Sequence, residues 1–433
     1  MLTGREQEIT FLENHYKRPG SQILVVYGQR GVGKTALLTA FTEKKESFLY
    51  VAENCSEREQ CYQWGRELRE RGQKISQYPS WREVLDCFAE RKQETKSVLV
   101  IENFQFLLKG DTLFLQELIR FLKEQKEEQI LVILSTYAAG WVENSMISRI
   151  GNLAFSISGF LKIKELPFFT MRRLFPGYTL QESIELYAAL GGLPGLWTFL
   201  VPQDSVDDNL ISFFLRKDSF FPELMMKWLL EELRETAVYD TILATIADGG
   251  PGKLNDLYEH TGFSRAKISV YLKNLMELEL VEKVLPGTYE ICNSFVRFYF
   301  RFLFPDRTKR QALAEKEFYE KYIRTGYNEF IQQAYRRICR DILQNRFREV
   351  KPWNAKNGKI YYTGITENGD TVVVDYSGTV CYTSKDYERL QTAMKSNRLT
   401  AGELIVFSEE GYEDALTGKV PGNLRCISIG EEI

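Results

Sequence analysis

A loop near the N-terminus has the residue types and the spacing needed to bind phosphate. The sequence GQRGVGKT, residues 28–35, matches the pattern G-x-x-x-x-G-K-[ST]. Its glycines let backbone N–H groups turn toward phosphate oxygens, and the N-terminus of a following helix adds partial positive charge. We therefore expect ATP or ADP to bind here with Mg²⁺, with Lys34 on the β- and γ-phosphates and Thr35 on the metal. The predicted nucleotide-binding residues are Gly28, Gln29, Arg30, Gly31, Val32, Gly33, Lys34, Thr35 and Ala36.

A polar pair follows the apolar run VLVI, residues 98–101. Glu102 is predicted to reach the magnesium ion together with Thr35, directly or through water. Asn103 stands where a general base is expected, and its neutral amide can orient a water molecule but cannot accept the proton. We therefore predict binding with weakened hydrolysis. Asp111, the nearest downstream acid, lies in a Lys-Gly-Asp turn and is a weaker candidate for the base.

A second polar pair, Ser135 and Thr136, follows the apolar run ILVIL at residues 130–134. This is a common place for a side chain that senses the γ-phosphate. Hydroxyl residues are also ordinary turn residues, so both interpretations stay open.

The elements that must position these residues follow from the hydrophobic pattern. Over about the first 165 residues, short apolar runs at 23–27, 48–51, 98–101 and 130–134 alternate with amphipathic stretches. This alternation is typical of a parallel β-sheet with helices on its faces. Residues 1–164 are predicted to form this P-loop domain, and residues 165–234 a helical lid, interrupted by the turn GGLPG at 191–195.

Residues 235–305 predict a winged helix-turn-helix: three helices, then two strands joined at Pro286-Gly287. Ile268, Leu272 and Leu275 have the spacing of a core-facing helix side. Hydroxyls and cations on the other side suit the phosphates of double-stranded DNA. The candidate DNA-binding residues are Ser264, Arg265, Lys267, Ser269, Tyr271 and Lys273. Winged helices also serve in protein contacts, so that alternative stays open.

Composition limits the other possibilities. The 433 residues are 44% hydrophobic and 27% charged, as in ordinary globular proteins. No apolar run is long enough to span a membrane, and no signal sequence is evident, so we expect a cytoplasmic protein with no membrane partner. Two histidines and no C-x-x-C pair argue against a zinc site. The segment 297–351 carries 14 Lys and Arg against 7 Asp and Glu in a chain of net charge −3, which indicates either a polyanion-facing region or solvated helix faces.

Taken together, these motifs make the chain resemble the archaeal-type P-loop ATPases, which are related to AAA and STAND proteins and include the DUF234 type. The resemblance rests on the phosphate loop, Gly4-Arg5-Glu6, the ELPFF segment at 165–169, the GGLP turn at 191–194 and the FVRFYFRF run at 295–302. It implies that Gly4, Arg5 and Glu6 lie near the adenine end of the nucleotide. It also implies that Glu102-Asn103 differs from the family pattern, which normally has Asp-Glu at these two positions.

The resemblance further implies a C-terminal α/β domain, residues 306–433, similar to restriction endonucleases. Relatives carry a helical Glu, an Ile-Asp pair and a Glu-x-Lys strand that bind the nuclease metal. Here the helix has Arg336 and Arg337, and the later strand has Asp375 without a nearby lysine, although Asp370 also remains. Nuclease activity is therefore not expected, and the domain is predicted to be degenerate.

The leading hypothesis is an ATP-dependent switch acting on or near DNA. One alternative is a competent ATPase in which another acid supplies the general base. That acid would come from this chain or from a partner subunit, for example through self-association. The other is a regulator or scaffold without enzymatic activity, in which the winged helix binds a protein partner.

Overall fold

The chain folds into two compact units. The first, here the P-loop unit, comprises residues 1–166, 193–195 and 274–279; the second, here the C-terminal unit, comprises residues 167–192, 196–273 and 280–433. The computed structural model describes residues 3–89, 96–108, 112–125, 129–217, 221–230, 233–249, 252–354, 359–413, 416 and 424–430. Asp111, the turn acid considered above, lies outside the described residues. The predicted division into four domains stays a prediction.

A parallel sheet forms the centre of the P-loop unit, as the alternating pattern predicts. In the described residues it has five strands in the order β2-β3-β4-β1-β5. The strands are β1 (Gln22–Tyr27), β2 (Ser47–Val51), β3 (Ser97–Glu102), β4 (Ile130–Thr136) and β5 (Gly159–Lys162). Strands β1, β3 and β4 are almost wholly buried because helices cover both faces of the sheet. Strand β5 is at the edge and half-exposed, and its short sequence was not among the four predicted runs.

One helix precedes the strands of this sheet and the others connect them. They are α1 (Glu6–Lys17), α2 (Lys34–Thr42), α3 (Glu57–Glu70), α4 (Trp81–Ala89), α5 (Leu113–Glu124), α6 (Ala139–Trp141) and α7 (Ile147–Ile150). A 3-10 helix at Phe104–Leu108 follows β3, a π-helical turn at Val142–Met146 joins α6 to α7, and a 3-10 helix at Gly151–Ser156 follows α7. Because β4 pairs in parallel with both β1 and β3, the carboxyl ends of these three strands meet at one edge of the sheet.

The segment predicted as a lid is helical. Its helices are α8 (Phe168–Leu174), α9 (Leu180–Leu190), α10 (Pro194–Trp197), α11 (Val206–Phe214) and α12 (Phe221–Leu229). Thr179 and Glu182 form a capping box at the start of α9, which satisfies backbone N–H groups at that helix end.

A winged helix-turn-helix follows, as predicted. It consists of α13 (Thr236–Gly249), β6 (Gly252–Lys253), α14 (Leu254–Thr261), α15 (Arg265–Glu277), β7 (Val281–Leu285) and β8 (Thr288–Ile291). Strand β6 pairs with β8 and adds a third strand to the predicted two-strand wing. Ile268, Leu272 and Leu275 are fully buried on one side of α15, as their spacing predicts.

The remaining residues form helices and a mixed sheet. The elements are α16 (Ser294–Phe298), α17 (Arg307–Ala312), α18 (Glu315–Phe318), α19 (Thr325–Arg346), β9 (Arg348–Asn354), β10 (Ile360–Ile365), β11 (Thr371–Gly378), α20 (Ser384–Ser396), β12 (Glu403–Ser408) and β13 (Leu424–Ile427). Two π-helical segments, Tyr299–Leu303 and Tyr319–Arg324, precede α17 and α19. In the described residues the strand order is β13-β12-β11-β10-β9, antiparallel from β9 to β11 and parallel from β11 to β13. The predicted small α/β domain is thus present, whereas its likeness to nucleases stays a prediction.

Candidate functional site

The phosphate loop connects the end of β1 to the first turn of α2, the arrangement that the motif requires. Gly31 and Gly33 have φ angles of 84° and 93°, in the left-handed region that glycine adopts without strain. Gly28 faces a different restriction: a Cβ at this position would lie 2.1 Å from the carbonyl oxygen of Ile163. The loop therefore depends on glycine both for backbone conformation and for close approach of a neighbouring chain segment.

Lys34 folds back over its own loop. Its Nζ donates hydrogen bonds to the carbonyl oxygens of Gly28, at 2.7 Å, and of Gln29, at 2.9 Å. Burial lowers the pKa of Lys34 from 10.5 to about 7, while Glu102 raises it and Arg30 lowers it to smaller extents. A buried cation that donates to neutral carbonyls is expected to favour an anion, and phosphate oxygens could replace these two acceptors.

The predicted magnesium ligands lie together. The Thr35 hydroxyl donates a 2.8 Å hydrogen bond to Oε1 of Glu102, although the two residues are 67 positions apart. Magnesium prefers oxygen ligands, keeps several waters and usually takes one or two protein side chains. A hydroxyl and a carboxylate at this separation, next to a phosphate loop, fit those requirements.

Asn103 has an unusual backbone conformation. Its φ is 54°, so this residue is left-handed between the end of β3 and the 3-10 helix at Phe104–Leu108. Its carbonyl oxygen accepts a hydrogen bond from the backbone N–H of Phe106. Asn is several-fold enriched in this conformation among residues other than glycine. The turn therefore gives a conformational reason for asparagine, in addition to the predicted chemical consequence.

The two candidate sensor residues differ in their surroundings. Both Ser135 and Thr136 are buried at the end of β4. The Thr136 hydroxyl donates to Oε1 of Gln105 at 2.6 Å and accepts from the N–H of Ala138 at 3.1 Å. Thr136 thus shapes the turn after β4, and the sensing role stays a prediction for both residues. Tyr137, in the same turn, contacts the phosphate loop: the guanidinium of Arg30 lies 3.5 Å from the centroid of its ring, a cation–π contact.

Arg5 connects the N-terminal motif to the phosphate loop. Its guanidinium donates to the carbonyl oxygens of Val32, at 2.7 Å, and Lys164, at 2.8 Å. The side chain of Glu6 accepts a 3.0 Å hydrogen bond from the N–H of Gly4. These contacts hold Gly4, Arg5 and Glu6 beside the loop, while their proximity to adenine stays a prediction.

Two contacts of the loop were not predicted. The Nε2 of Gln29 donates to Oε1 of Glu165 at 2.5 Å. The turn containing Leu193 and Pro194 also belongs to the P-loop unit: a Cβ at Gly33 would lie 3.3 Å from Cγ of Pro194. The sequence signal was present, because GGLPG and ELPFF stood out as motifs, but spacing alone did not connect either of them to the loop.

The candidate DNA-binding residues lie on α15 and at its start. Ser264, Arg265, Ser269 and Lys273 are exposed, whereas Lys267 and Tyr271 are half-buried. Ser264 caps the helix, its hydroxyl accepting a 3.3 Å hydrogen bond from the N–H of Lys267.

An acid restrains part of this helix surface. The Tyr271 hydroxyl donates a short hydrogen bond to Oε2 of Glu235, and the Lys267 ammonium lies 3.8 Å from the same oxygen. The hydrogen bond to Glu235 raises the pKa of Tyr271 to about 12. Glu235 thus competes with any phosphate for these two side chains.

Asp375 and Asp370, the two acids that remain of the nuclease pattern, differ in their burial. Asp375 is completely buried in β11, where it pairs with Lys359 at 2.5 Å and accepts a 2.9 Å hydrogen bond from the Tyr382 hydroxyl. The expectation that Asp375 has no lysine nearby was therefore wrong, because Lys359 stands before the neighbouring strand β10 and not in β11 itself. Asp370 is exposed in the turn before β11. Among the described residues there is no group of three or more His, Cys, Asp or Glu side chains that could hold a metal ion.

The chain matches known protein families over two regions. Residues 2–197 match the family described as "ATPase domain predominantly from Archaea". These residues are an archaeal-type ATPase domain. Residues 241–283 match the family described as "Bacterial regulatory protein, arsR family", so this part of the winged unit is similar to an ArsR-type helix-turn-helix.

Individual relatives extend the similarity beyond the ATPase domain. The chain is 26% identical over 370 residues to the uncharacterized protein MJECL04 of Methanocaldococcus jannaschii, covering 79% of this chain and 77% of the relative. It is 37% identical over 46 residues to the uncharacterized ATP-binding protein MJ0423 of the same organism, covering 11% of this chain and 78% of the relative. A solved structure, the Walker-type ATPase PABY2304 of Pyrococcus abyssi, is similar with a TM-score of 0.51 and 18% identity, over 69% of this chain and 96% of that one. That last similarity shows a shared fold.

Within the described ranges, no helix combines the length and the apolar character that a membrane span needs.

Proposed function

We propose that the archaeal-type ATPase domain binds Mg-ATP and hydrolyses it slowly, so that the protein acts as a long-lived nucleotide-dependent switch on or near DNA. The observation that carries this proposal is the 2.8 Å contact between Thr35 and Glu102, with Asn103 directly after Glu102 on the chain. The closeness of a hydroxyl and a carboxylate supports a metal-binding role for Thr35 and Glu102, and the adjacent position has no carboxylate.

Each residue at the loop has a separate task in binding. Lys34 exchanges the carbonyl oxygens of Gly28 and Gln29 for oxygens of the β- and γ-phosphates, and it becomes fully protonated there. Thr35 and Glu102 would hold the magnesium ion, which would neutralise phosphate charge. The loop N–H groups and the N-terminus of α2 contact the remaining phosphate oxygens.

Hydrolysis is limited at Asn103. Its amide can hold a water molecule by hydrogen bonds, but a neutral amide cannot take the proton that the attacking water must lose. General-base help typically contributes about 10²- to 10⁴-fold in rate. ATP is therefore expected to persist in the site for longer than in an ATPase with a carboxylate at this position.

The switch acts first on the turn that touches the loop. Leu193 and Pro194 lie in the P-loop unit with the glycines they cover, and a Cβ at Gly31 would lie 3.8 Å from Cδ2 of Leu193. Movement of the loop around phosphate changes the surface against which this turn packs. Such a contact gives nucleotide-bound and nucleotide-free states different packing, which is the requirement for a switch.

The proposed output is DNA binding by the ArsR-type helix-turn-helix. Ser264, Arg265, Ser269 and Lys273 form an exposed polar and cationic surface on α15. Contacts of this kind to phosphates position a helix on the duplex. The match to a family of regulatory proteins supports the same output.

The nucleotide content of the freshly purified full chain tests the binding part. We expect ATP, or a mixture in which ATP persists, to be released on denaturation, and no nucleotide from Lys34→Ala. Nucleotide-free wild-type protein that also fails to bind added Mg-ATP would overturn the proposal. ADP alone would overturn slow hydrolysis and would favour the competent ATPase.

A further inference from the structure

A cavity in the C-terminal unit has four cationic and three acidic side chains in its lining. It has a volume of about 250 Å³, and its lining includes Arg297, Arg301, Arg336, Lys359 and Glu290. The helical segments after the wing, the helix α19 and the sheet strands β10 and β11 all contribute to it. None of these residues belongs to the phosphate loop.

Arg297 is the most deeply placed cation of this cavity. Only 3% of its surface is exposed. Its Nη2 donates to the carbonyl oxygen of Ala188 at 3.3 Å, and its guanidinium lies 4.0 Å from the ring centroid of Phe330. Its Nε and Nη1 have no hydrogen-bond partner among the described residues. Burial lowers the pKa of Arg297.

Glu290 is the buried acid of the cavity, and it is already shared. It is 1% exposed, and its Oε2 accepts hydrogen bonds from Arg336 and, at 3.1 Å, from Gln333. Arg336 is also buried, and its Nε has no partner among the described residues. Two buried guanidinium groups therefore face one buried carboxylate, which leaves an excess of positive charge.

The two cations nearer the solvent do not change this balance. Lys359 pairs with the buried Asp375, and Arg301 pairs with Asp248 and Glu329, whose side chains are 82% and 85% exposed. Those exposed acids are screened by water and contribute little to the interior. Burying a cation without a matching anion costs free energy, which a bound anion would recover.

We propose that this cavity binds the phosphate group of a small phosphorylated molecule. The unpartnered Nε and Nη1 of Arg297 supply two N–H donors on one guanidinium, and a guanidinium can bind a phosphate in a bidentate fashion. The Nε of Arg336 supplies a further donor. The volume accommodates a phosphate together with a small organic group, so both a free phosphate ion and a phosphate monoester fit this chemistry.

Calorimetric titration of the full chain with inorganic phosphate tests the proposal. A saturating amount of the β,γ-imido analogue of ATP with Mg²⁺ fills the phosphate loop, so that added phosphate reports on other sites. A parallel titration with AMP distinguishes the two sources: tighter binding of AMP identifies a phosphate monoester, and tighter binding of phosphate identifies the free ion.

Two variants with opposite expected effects on phosphate affinity distinguish a loss of binding from a loss of folding. Arg297→Met removes the donors and is expected to weaken phosphate binding at least about tenfold, as the loss of a charge-assisted hydrogen bond implies. Glu290→Gln removes the competing negative charge and is expected to tighten binding severalfold. Arg389→Gln, an exposed arginine on α20, is the matched control and is expected to change nothing.

Three results would overturn the proposal. They are the absence of saturable binding by the wild type, unchanged affinity in folded Arg297→Met, and weaker binding in Glu290→Gln. Any of these would show that Arg297 and Glu290 do not form a phosphate site in this cavity. Since the cavity residues are distinct from those of the phosphate loop, this result is independent of the ATP-switch proposal.

Discussion

At the scale of single residues, Asn103 combines a conformational and a chemical property. Its φ of 54° requires a residue that tolerates the left-handed region, and asparagine and aspartate both do so better than glutamate. The same residue directly follows Glu102, the partner of Thr35. The turn thus explains why the position carries a short polar side chain, and the neutral amide explains why hydrolysis should be slow.

Asn103→Asp should increase the rate of ATP hydrolysis. The substitution keeps a residue that adopts this turn and adds a carboxylate able to take a proton, so we expect an increase of at least about tenfold. Steady-state phosphate release by the full chain measures it. Asn103→Gly, which suits the turn but has no side chain, is the control and should not increase activity. Equal rates in wild type and Asn103→Asp would show that a base at this position does not limit hydrolysis.

Lys34 should make nucleotide binding depend on pH. Its pKa is about 7 in the free protein because of burial, and bound phosphates should raise that pKa. The complex then holds more protons than the free protein above pH 7, so ATP affinity should fall as the pH rises through that value.

Calorimetry at pH 8 in two buffers of different ionisation enthalpy measures the proton uptake directly. Lys34→Arg is the control, because an arginine is protonated in both the free protein and the complex. Its proton uptake therefore reports only the titration of ATP itself. Identical proton uptake by wild type and Lys34→Arg would contradict the lowered pKa of Lys34.

At the scale of elements, the loop between β1 and α2 depends on the segment that follows β5. Gly28→Ala should destabilise the fold by at least about 2 kcal/mol, because an added Cβ would lie 2.1 Å from the Ile163 carbonyl oxygen and the backbone must shift. Gly177→Ala is the matched control, because its Cβ would meet no atom within 4 Å. Urea denaturation measures both, and equal midpoints for the two variants would refute the close approach.

The helix α15 should bind DNA through its exposed cations and be restrained by Glu235. Replacing Arg265 and Lys273 with Gln should weaken binding and reduce the slope of log affinity against log salt by about one for each phosphate that is no longer neutralised. Glu235→Gln should strengthen binding because it frees Lys267 and Tyr271 from the acid. Fluorescence anisotropy over a range of salt concentrations measures these effects.

Lys395→Gln on α20 is the control for that experiment, since it removes an exposed cation far along the chain from α15. An unchanged affinity in the Arg265 and Lys273 variant, or no binding by wild type at low salt, would mean that α15 does not contact DNA. Protein contact would then be the better interpretation of the helix-turn-helix.

At the scale of the whole molecule, the basic excess of residues 297–351 is partly internal. Arg336 pairs with Glu290, and Arg340 pairs with Glu282 at 3.0 Å. The two arginine side chains are 6% and 26% exposed, so these charges face acids of the winged unit more than they face solvent. Charge counted along a sequence therefore overstates the cationic surface that can contact a polyanion.

The sequence predicted what depends on neighbours along the chain. The phosphate loop, the end of β3 at Glu102 and the buried side of α15 all follow from local spacing and periodicity. It did not predict β5, whose four residues form a half-exposed edge strand with a weak apolar pattern. The contacts of Tyr271 with Glu235 and of Arg336 with Glu290 also escaped prediction, because they join residues 36 and 46 positions apart. Such pairings depend on tertiary packing, which spacing does not encode.

The rate at which the full chain hydrolyses Mg-ATP is the most direct test of the central claim. We predict that the protein binds ATP and that its turnover is close to the background measured with Lys34→Ala, well below the roughly 1–10³ s⁻¹ of ordinary enzymes. Turnover within that ordinary range, abolished in Lys34→Ala, would contradict the account and show that another group supplies the base that Asn103 lacks.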